Sequence, residues 1–270
     1  MSECIKLENT IKGVNKDKTT CAVLYNDDCF NVFPKIKDNS VNLILCDLPY
    51  GITKIEWDKM LPFDKLWQEY ERIISPSGNI ILFSSGLFTF DLVNSNSKLF
   101  KYKLIWKKNV PSGMSSAKYR PMKYYEEICV FNNGKATYNP IMKERVGAKK
   151  SCYNYDHYCS KSNHIDLEKK PKRYDVNFVQ PSDVLEFNTV PNRKGRFHPT
   201  QKPVELLKWL IKTYSNEDDV VLDNCMGSGS TGVACVELNR EFIGIEINKD
   251  YFNIAKERMG GYSNEYNNQI

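Results

Sequence analysis

The sequence has only three histidines, no Cys-x-x-Cys pair and no internal repeat of solenoid length among its 270 residues. These absences remove the commonest zinc spacings, a thioredoxin-type redox pair and repeat architectures. No apolar run approaches the ~18 residues of a membrane-spanning helix. Met1–Lys6 lacks the apolar stretch of a secretory signal. The nine cysteines are odd in number and scattered, which reads as reduced thiols in a cytoplasmic protein. What is present suffices for a folded core. Apolar residues make up 41% and charged residues 26%, which excludes wholesale disorder, collagen-like and coiled-coil chains. The length predicts about two domains, or one α/β domain with an insertion.

Charge is unevenly spread. The net charge is +5, yet Lys101–Arg173 holds 17 basic and 6 acidic residues, a local +11 against −6 elsewhere. A basic middle on an acidic remainder suggests a polyanionic partner.

The apolar pattern alternates between two periods. Residues 21–25, 41–46, 79–83, 102–106, 128–131, 220–223 and 242–246 read as strands. Phe63–Ile74 carries apolar residues at 63, 66, 67, 70, 73 and 74, which is helical spacing. Leu87–Val93, the segment after Pro203 and Tyr251–Met259 read as further helices. Alternating strands and helices predict a sheet covered on both faces. Asn109–Tyr125 reads as a long loop. Residues 132–195 are basic, Tyr-rich and irregular, and read as an inserted subdomain. Residues 1–20 and 260–270 read as flexible termini.

Two turns carry chemistry. Asp223 ends a strand; Gly227, Gly229 and Gly232 follow as G-x-G-x-x-G; a helix and a second strand lead to Glu246. Glycines allow close backbone approach, a helix start offers unpaired N–H groups, and an acid after the second strand can accept from ribose hydroxyls. A dinucleotide and S-adenosylmethionine both fit. The unit lies near the C-terminal end of the sequence, where a dinucleotide fold would still need several strands. The second turn, Asp47-Leu48-Pro49-Tyr50, follows a buried strand. An acceptor carboxylate, a stiffened backbone and an aromatic ring are what an extruded nucleobase requires.

Asp47-Leu48-Pro49-Tyr50-Gly51, His198-Pro199-Thr200-Gln201-Lys202-Pro203 and Asp223-x-x-x-Gly227-x-Gly229-x-Thr231 together resemble the β-class amino-group DNA methyltransferases, including their motif order. Leu48 stands where that family more often has Pro, a position that contributes its backbone carbonyl. Cys225 or Met226 stands where it often has Phe. The resemblance implies a Rossmann-like α/β methyltransferase sheet with permuted motifs. Residues 21–131 would be the catalytic half, 132–195 a target-recognition insert and 196–259 the cofactor half. It implies methyl transfer from S-adenosylmethionine to adenine N6 in double-stranded DNA, with Asp47, Leu48, Pro49 and Tyr50 catalytic. Asp at 47 favours adenine over cytosine N4.

By the same resemblance, Glu246 would hold the ribose. Asp223, Cys225, Met226, Gly227, Gly229 and Thr231 would shape the methionine pocket. Thr200 and Lys202 would sit near the cofactor carboxylate, Asp28 and Cys29 beside the adenine ring, and Asp47 at the border of the pocket. Lys107, Lys108, Lys118, Tyr119, Arg120, Lys123, Arg193, Lys194 and Arg196 are the expected DNA contacts. A homodimer, a cognate restriction endonuclease and a bacterial or phage-infected cytoplasm are implied, with no membrane. No metal is expected, although Cys152, His157, Cys159 and His164 recur at ligand-like spacing. Trp106 and Trp209 read as packing residues, as does Trp57. The competing readings are an N4-cytosine methyltransferase, a dinucleotide-dependent oxidoreductase on the Gly227/Gly229/Gly232 turn, and a non-catalytic DNA-binding protein.

Overall fold

A computed structural model describes residues 3–11, 18–51, 59–145, 177–191, 197 and 200–265. The chain divides into two units, Met1–Asn139 with Asp183–Ile270, and Pro140–Ser182. In the smaller unit the described residues form one antiparallel pair, β7 (Lys143–Glu144) with β8 (Phe178–Val179).

The larger unit is built on nine strands. They are β1 (Glu3–Ile11), β2 (Lys18–Asn26), β3 (Val41–Cys46), β4 (Ile74–Ser84), β5 (Phe100–Ser112), β6 (Lys123–Phe131), β9 (Val184–Glu186), β10 (Val220–Asp223) and β11 (Glu241–Ile245). Their order across the sheet is β1-β2-β11-β10-β3-β4-β6-β5-β9. The central five, β2 to β4, run parallel. Strand β6 is antiparallel to both neighbours, and β1 is antiparallel to β2.

The side-chain period of two sorts the core. Leu43, Leu45, Ile81 and Phe83 join one cluster with α4 (Val204–Tyr214), α5 (Ser230–Glu237) and α6 (Lys249–Glu265). Ile44, Cys46, Ile80 and Leu82 join the other with α1 (Cys29–Val32), α2 (Phe63–Ile73) and α3 (Leu87–Ser95). Burial on both faces explains why these strands are continuous apolar runs. Helix α2 buries Leu66, Trp67, Tyr70 and Ile73, the stripe its spacing predicts. Ser75–Gly78 form an irregularity inside β4, where pairing jumps from Val41↔Ile74 to Leu43↔Asn79.

Four expectations change. Residues 3–11 are not a flexible end: they pair with β2, and Ile5 and Leu7 pack on the first cluster while Cys4, Lys6 and Glu8 face water. At the other end, α6 continues to Glu265. Residues 109–125 are not one long loop, because β5 reaches Ser112 and β6 begins at Lys123. The insert is narrower than 132–195. Asn139 donates to the Lys212 and Ser215 carbonyls at the end of α4, and Val184–Glu186 pairs with β5 in the main sheet. Trp106 is buried and donates to the Phe187 carbonyl at 2.9 Å. Trp209 packs on the first cluster. Among the described residues no helix is long and apolar enough to cross a membrane. Trp57, Cys152, His157, Cys159 and His164 lie outside the described residues.

Candidate active site

Both chemistry-bearing turns leave the same edge of the sheet. Strands β10 and β3 are parallel neighbours with Val221↔Leu43 and Leu222↔Ile44 in register. Asp47 therefore lies two residues beyond the level of Asp223. On the other side Asp223 pairs with Gly244, so Glu246 also lies two residues beyond it. Two strand spacings put the Asp47 and Glu246 backbones about 10 Å apart, flanking the glycine turn. The carboxyl edge of parallel strands is where ligands bind in such sheets.

The glycine turn is held from three sides. Gly227 and Gly229 have φ of +52° and +77°, the left-handed region that favours glycine. Gly229 caps α5, and a Cβ there would lie 2.8 Å from that of Ala255. Met226 is buried and donates its N–H to the Ile245 carbonyl at 3.0 Å. Arg258 of α6 reaches the Ser228 hydroxyl at 3.1 Å and the Ser230 hydroxyl at 3.2 Å. Its role carries no local sequence signal.

Glu246 accepts from the Gly227 N–H and the Asn248 N–H, each at 2.8 Å. Burial raises its pKa against those backbone bonds. Its unused lone pairs remain for further donors. Asp223 accepts from the Thr231 hydroxyl at 2.6 Å and the Cys225 N–H at 3.1 Å. Burial is the largest influence on it and lifts its pKa from 3.8 to about 6. Between those values the folded protein keeps a proton that the unfolded chain releases. Stability from this group therefore falls as pH rises through that window. Asp223→Asn is expected to flatten the dependence of Tm on pH between about 4 and 6, measured by thermal melts in matched buffers.

Asp47 is clamped at both oxygens. The Tyr50 hydroxyl donates to Oδ1 at 2.7 Å, and Lys202 Nζ donates to Oδ2 at 2.5 Å. Burial, then the charge of Asp47, pushes the Tyr50 hydroxyl well above its ordinary pKa, so it stays a neutral donor. The Tyr50 ring stacks on Phe88, with centroids 4.7 Å apart and planes 28° apart. Leu48 turns its side chain into the second core cluster. The Lys202 ammonium also lies 3.3 Å from Glu126 Oε2 and 4.9 Å from the centre of the Phe83 ring. Lys202, expected at a cofactor carboxylate, thus spends its charge on two protein carboxylates. Motif spacing gave no warning of this, because Glu126 comes from β6.

The remaining expected residues divide. Asp28 is exposed and caps α1 by accepting from the Phe30 N–H at 2.8 Å. Cys29 is buried, and burial raises its thiol pKa. Thr200 is exposed. Lys118, Tyr119 and Arg120 are exposed between β5 and β6, with Tyr119 at 89%. Lys107 pairs with Glu186 at 2.9 Å on the surface. Lys123 donates to the Ser85 hydroxyl at 2.8 Å and lies over the Tyr125 ring. Lys108 is a correction: it is only 7% exposed and pairs with Glu126 at 3.1 Å, so its ammonium is not available to a phosphate. His198, Pro199, Arg193, Lys194 and Arg196 lie outside the described residues.

The family model described as "DNA methylase" (N6/N4 methylases) matches residues 41–257. The type II methyltransferase M.HpaI of Haemophilus parainfluenzae is 29% identical over 257 residues, covering 88% of this chain and 75% of that protein. The DNA adenine methyltransferase YhdJ of Escherichia coli K12 is 29% identical over 253 residues, covering 87% and 82%. Among solved structures, the M1.HpyAVI–SAM complex superposes with a TM-score of 0.59 at 25% identity, covering 87% of this chain and 98% of that one. The cytosine-N4-specific PvuII methyltransferase gives 0.63 at 14% identity, covering 88% and 86%, a likeness of fold.

Proposed function

From the premise that the chain belongs to the N6/N4 DNA methylase family, we propose that it methylates the N6 amine of an adenine extruded from double-stranded DNA. DNA methyl transfer with S-adenosylmethionine follows from the family. The choice of adenine and the roles of individual residues go beyond what the family gives. The observation that carries it is the shared carboxyl edge, which sets Asp47 and the Gly227–Gly229 turn on adjacent parallel strands.

The donor set fits the cofactor. Glu246 is a largely buried carboxylate with backbone N–H partners and spare acceptor capacity, which suits a ribose diol. The left-handed glycines let the backbone turn tightly beside the start of α5, where a methionine moiety would lie. When bound, S-adenosylmethionine supplies an electrophilic methyl group on a sulfonium. Cys29 and Asp28, after β2, border the adenine side of the pocket in this reading. Thr200 is kept near the opposite end.

Asp47 Oδ1 and the Leu48 carbonyl accept the two hydrogens of the target amine. That draws the nitrogen toward a tetrahedral shape with a localised lone pair and steadies the positive charge it develops. Pro49 stiffens the turn, and Tyr50 offers its ring to the base with Phe88 behind it. As the nitrogen takes the methyl group, the N–H bonded to Asp47 Oδ1 is lost as a proton to that carboxylate, which passes it on to solvent. Lys118, Tyr119 and Arg120 between β5 and β6, with Lys123 at the start of β6, suit phosphate and base contact. Asp at position 47 and the resemblance to a relative named for adenine both support N6.

Incubation of duplex DNA with methyl-labelled cofactor, followed by nucleoside chromatography, tests the target. N6-methyladenine is expected as the labelled product. N4-methylcytosine alone would move the reading to the other amine. No labelled nucleoside would reject it.

A further inference from the structure

A chain of four charges runs from the sheet into the Asp47 corner, and the methylation chemistry uses only its last member. Lys108 of β5 pairs with Glu126 Oε1 at 3.1 Å. Glu126 Oε2 lies 3.3 Å from Lys202 Nζ, and Lys202 Nζ lies 2.5 Å from Asp47 Oδ2. Signs alternate along the chain, and all four side chains are at least three-quarters shielded from solvent. Glu126 Oε2 is buried, and its approach to Lys202 is ionic without hydrogen-bond geometry among the described residues.

Such an arrangement is poor economy for stability alone. A buried ion pair is often no better than apolar side chains of the same size, and here two pairs are stacked. Its geometry does achieve something specific. A lysine ammonium sits on a flexible four-carbon stem and can point to any acceptor in reach. Glu126 stands where it restrains that swing, on the side of Lys202 fed by β6. Lys108 neutralises the other Glu126 oxygen, so Glu126 does not pull Lys202 off Asp47 unopposed. Burial works to lower the Lys202 pKa, but Asp47 and Glu126 together outweigh it and hold the ammonium charged. Burial likewise works to raise the pKa of Glu126, and the two lysines, Lys202 first, reverse that.

We propose that Glu126 is a positioning residue for methyl transfer: backed by Lys108, it holds the Lys202 ammonium on Asp47 Oδ2 and so fixes the plane in which Oδ1 meets the target amine. The inference rests on the reading of Asp47 as the acceptor for that amine. Glu126 touches no reacting atom and acts through Lys202.

The test measures single-turnover methyl transfer by the full chain, on DNA from an unmethylated bacterial strain, with cofactor affinity read by calorimetry. Glu126→Gln is expected to slow transfer about a hundredfold, the size of effect a small misplacement of a reacting group produces. Cofactor affinity should stay within about twofold, since no contact to that pocket changes. The groups facing Lys202 and Glu126 are Asp47 and Tyr50 after β3, Lys123 on β6 and Lys108 on β5. With one of its two carboxylates gone, the buried ammonium loses its proton more easily. The alkaline limb of the rate profile should therefore move down by about one pH unit or more. In a Lys202→Met background, Glu126→Gln should have no further effect, the signature of two residues acting in series.

Should Glu126→Gln not fold, the double variant Lys108→Met/Glu126→Leu removes the pair as a unit, leaves no orphan charge, and should show the same loss and the same shift. A wild-type rate, an unmoved alkaline limb, or an equal loss with and without Lys202 would overturn the proposal. Asp47→Ala runs beside these variants. If it is inactive while Glu126→Gln is normal, the positioning role alone has failed; if it is active, the reading of Asp47 itself has failed.

Discussion

Asp47→Ala should lose methyl transfer by about a thousandfold or more, the scale on which preorganised groups facing developing charge act, while cofactor affinity stays near wild type. The substitution removes the only carboxylate that the β3 turn presents beside Tyr50 among the described residues. The Leu48 carbonyl remains, so the amine keeps one acceptor. Two partners are left without their bond: the Tyr50 hydroxyl and one N–H of Lys202. That desolvation loss, about 1–3 kcal/mol per group where water cannot enter, lowers Tm and has to be separated from catalysis. Asp47→Asn serves this purpose. It keeps the shape and one carbonyl oxygen for Lys202, so stability should largely return, but an amide N–H then faces the target amine and activity should not. Binding of S-adenosylmethionine is read by calorimetry on both variants, because the glycine turn and Glu246 lie on other strands. Full activity in Asp47→Ala would remove Asp47 from the reaction.

Why the Asp47 corner was legible in the sequence is a matter of burial. β3, β10 and β11 have both faces covered, so each reads as an apolar run that stops at its turn. Once the runs end, Asp47, Asp223 and Glu246 stand out as acids at strand ends. The helix α2 stripe is visible for the same reason. The Glu3–Ile11 strand leaves little signal because only Ile5 and Leu7 of its described side chains pack inward, diluted by Glu3, Lys6 and Glu8. The ends of β5 and β6 read as loop because Val110, Tyr124 and Tyr125 are exposed there, so no buried face imposes a period. Lys108 is the sharpest case. Composition makes it one more cation in a basic stretch, and only the cross-strand approach of Glu126 buries it. Approaches between segments distant in sequence, such as Lys202 to Asp47, leave no local mark.

Glu246→Gln is expected to weaken S-adenosylmethionine binding by about a hundredfold, near 3 kcal/mol, the order of one or two charge-assisted hydrogen bonds. Transfer at saturating cofactor should change little. The carboxylate accepts from Gly227 N–H and Asn248 N–H with opposite oxygens. An amide can satisfy one of these and must turn its NH2 toward the other, so the substitution also loosens the glycine turn. In the proposed site, a ribose diol would meet a donor in place of an acceptor. Burial raises the Glu246 pKa, and the ionised form is the stronger acceptor. Wild-type affinity should therefore decline as pH falls through that raised value, whereas the Glu246→Gln affinity should not respond. This separates Glu246 from Asp47 by kinetics: loss in KM for the cofactor at one, loss in the rate of transfer at the other. The two carboxylates sit at the same level on either side of β10, and the division of labour between them follows from which turn each one faces. Cofactor affinity in Glu246→Gln equal to wild type, flat with pH, would place the ribose elsewhere on this edge.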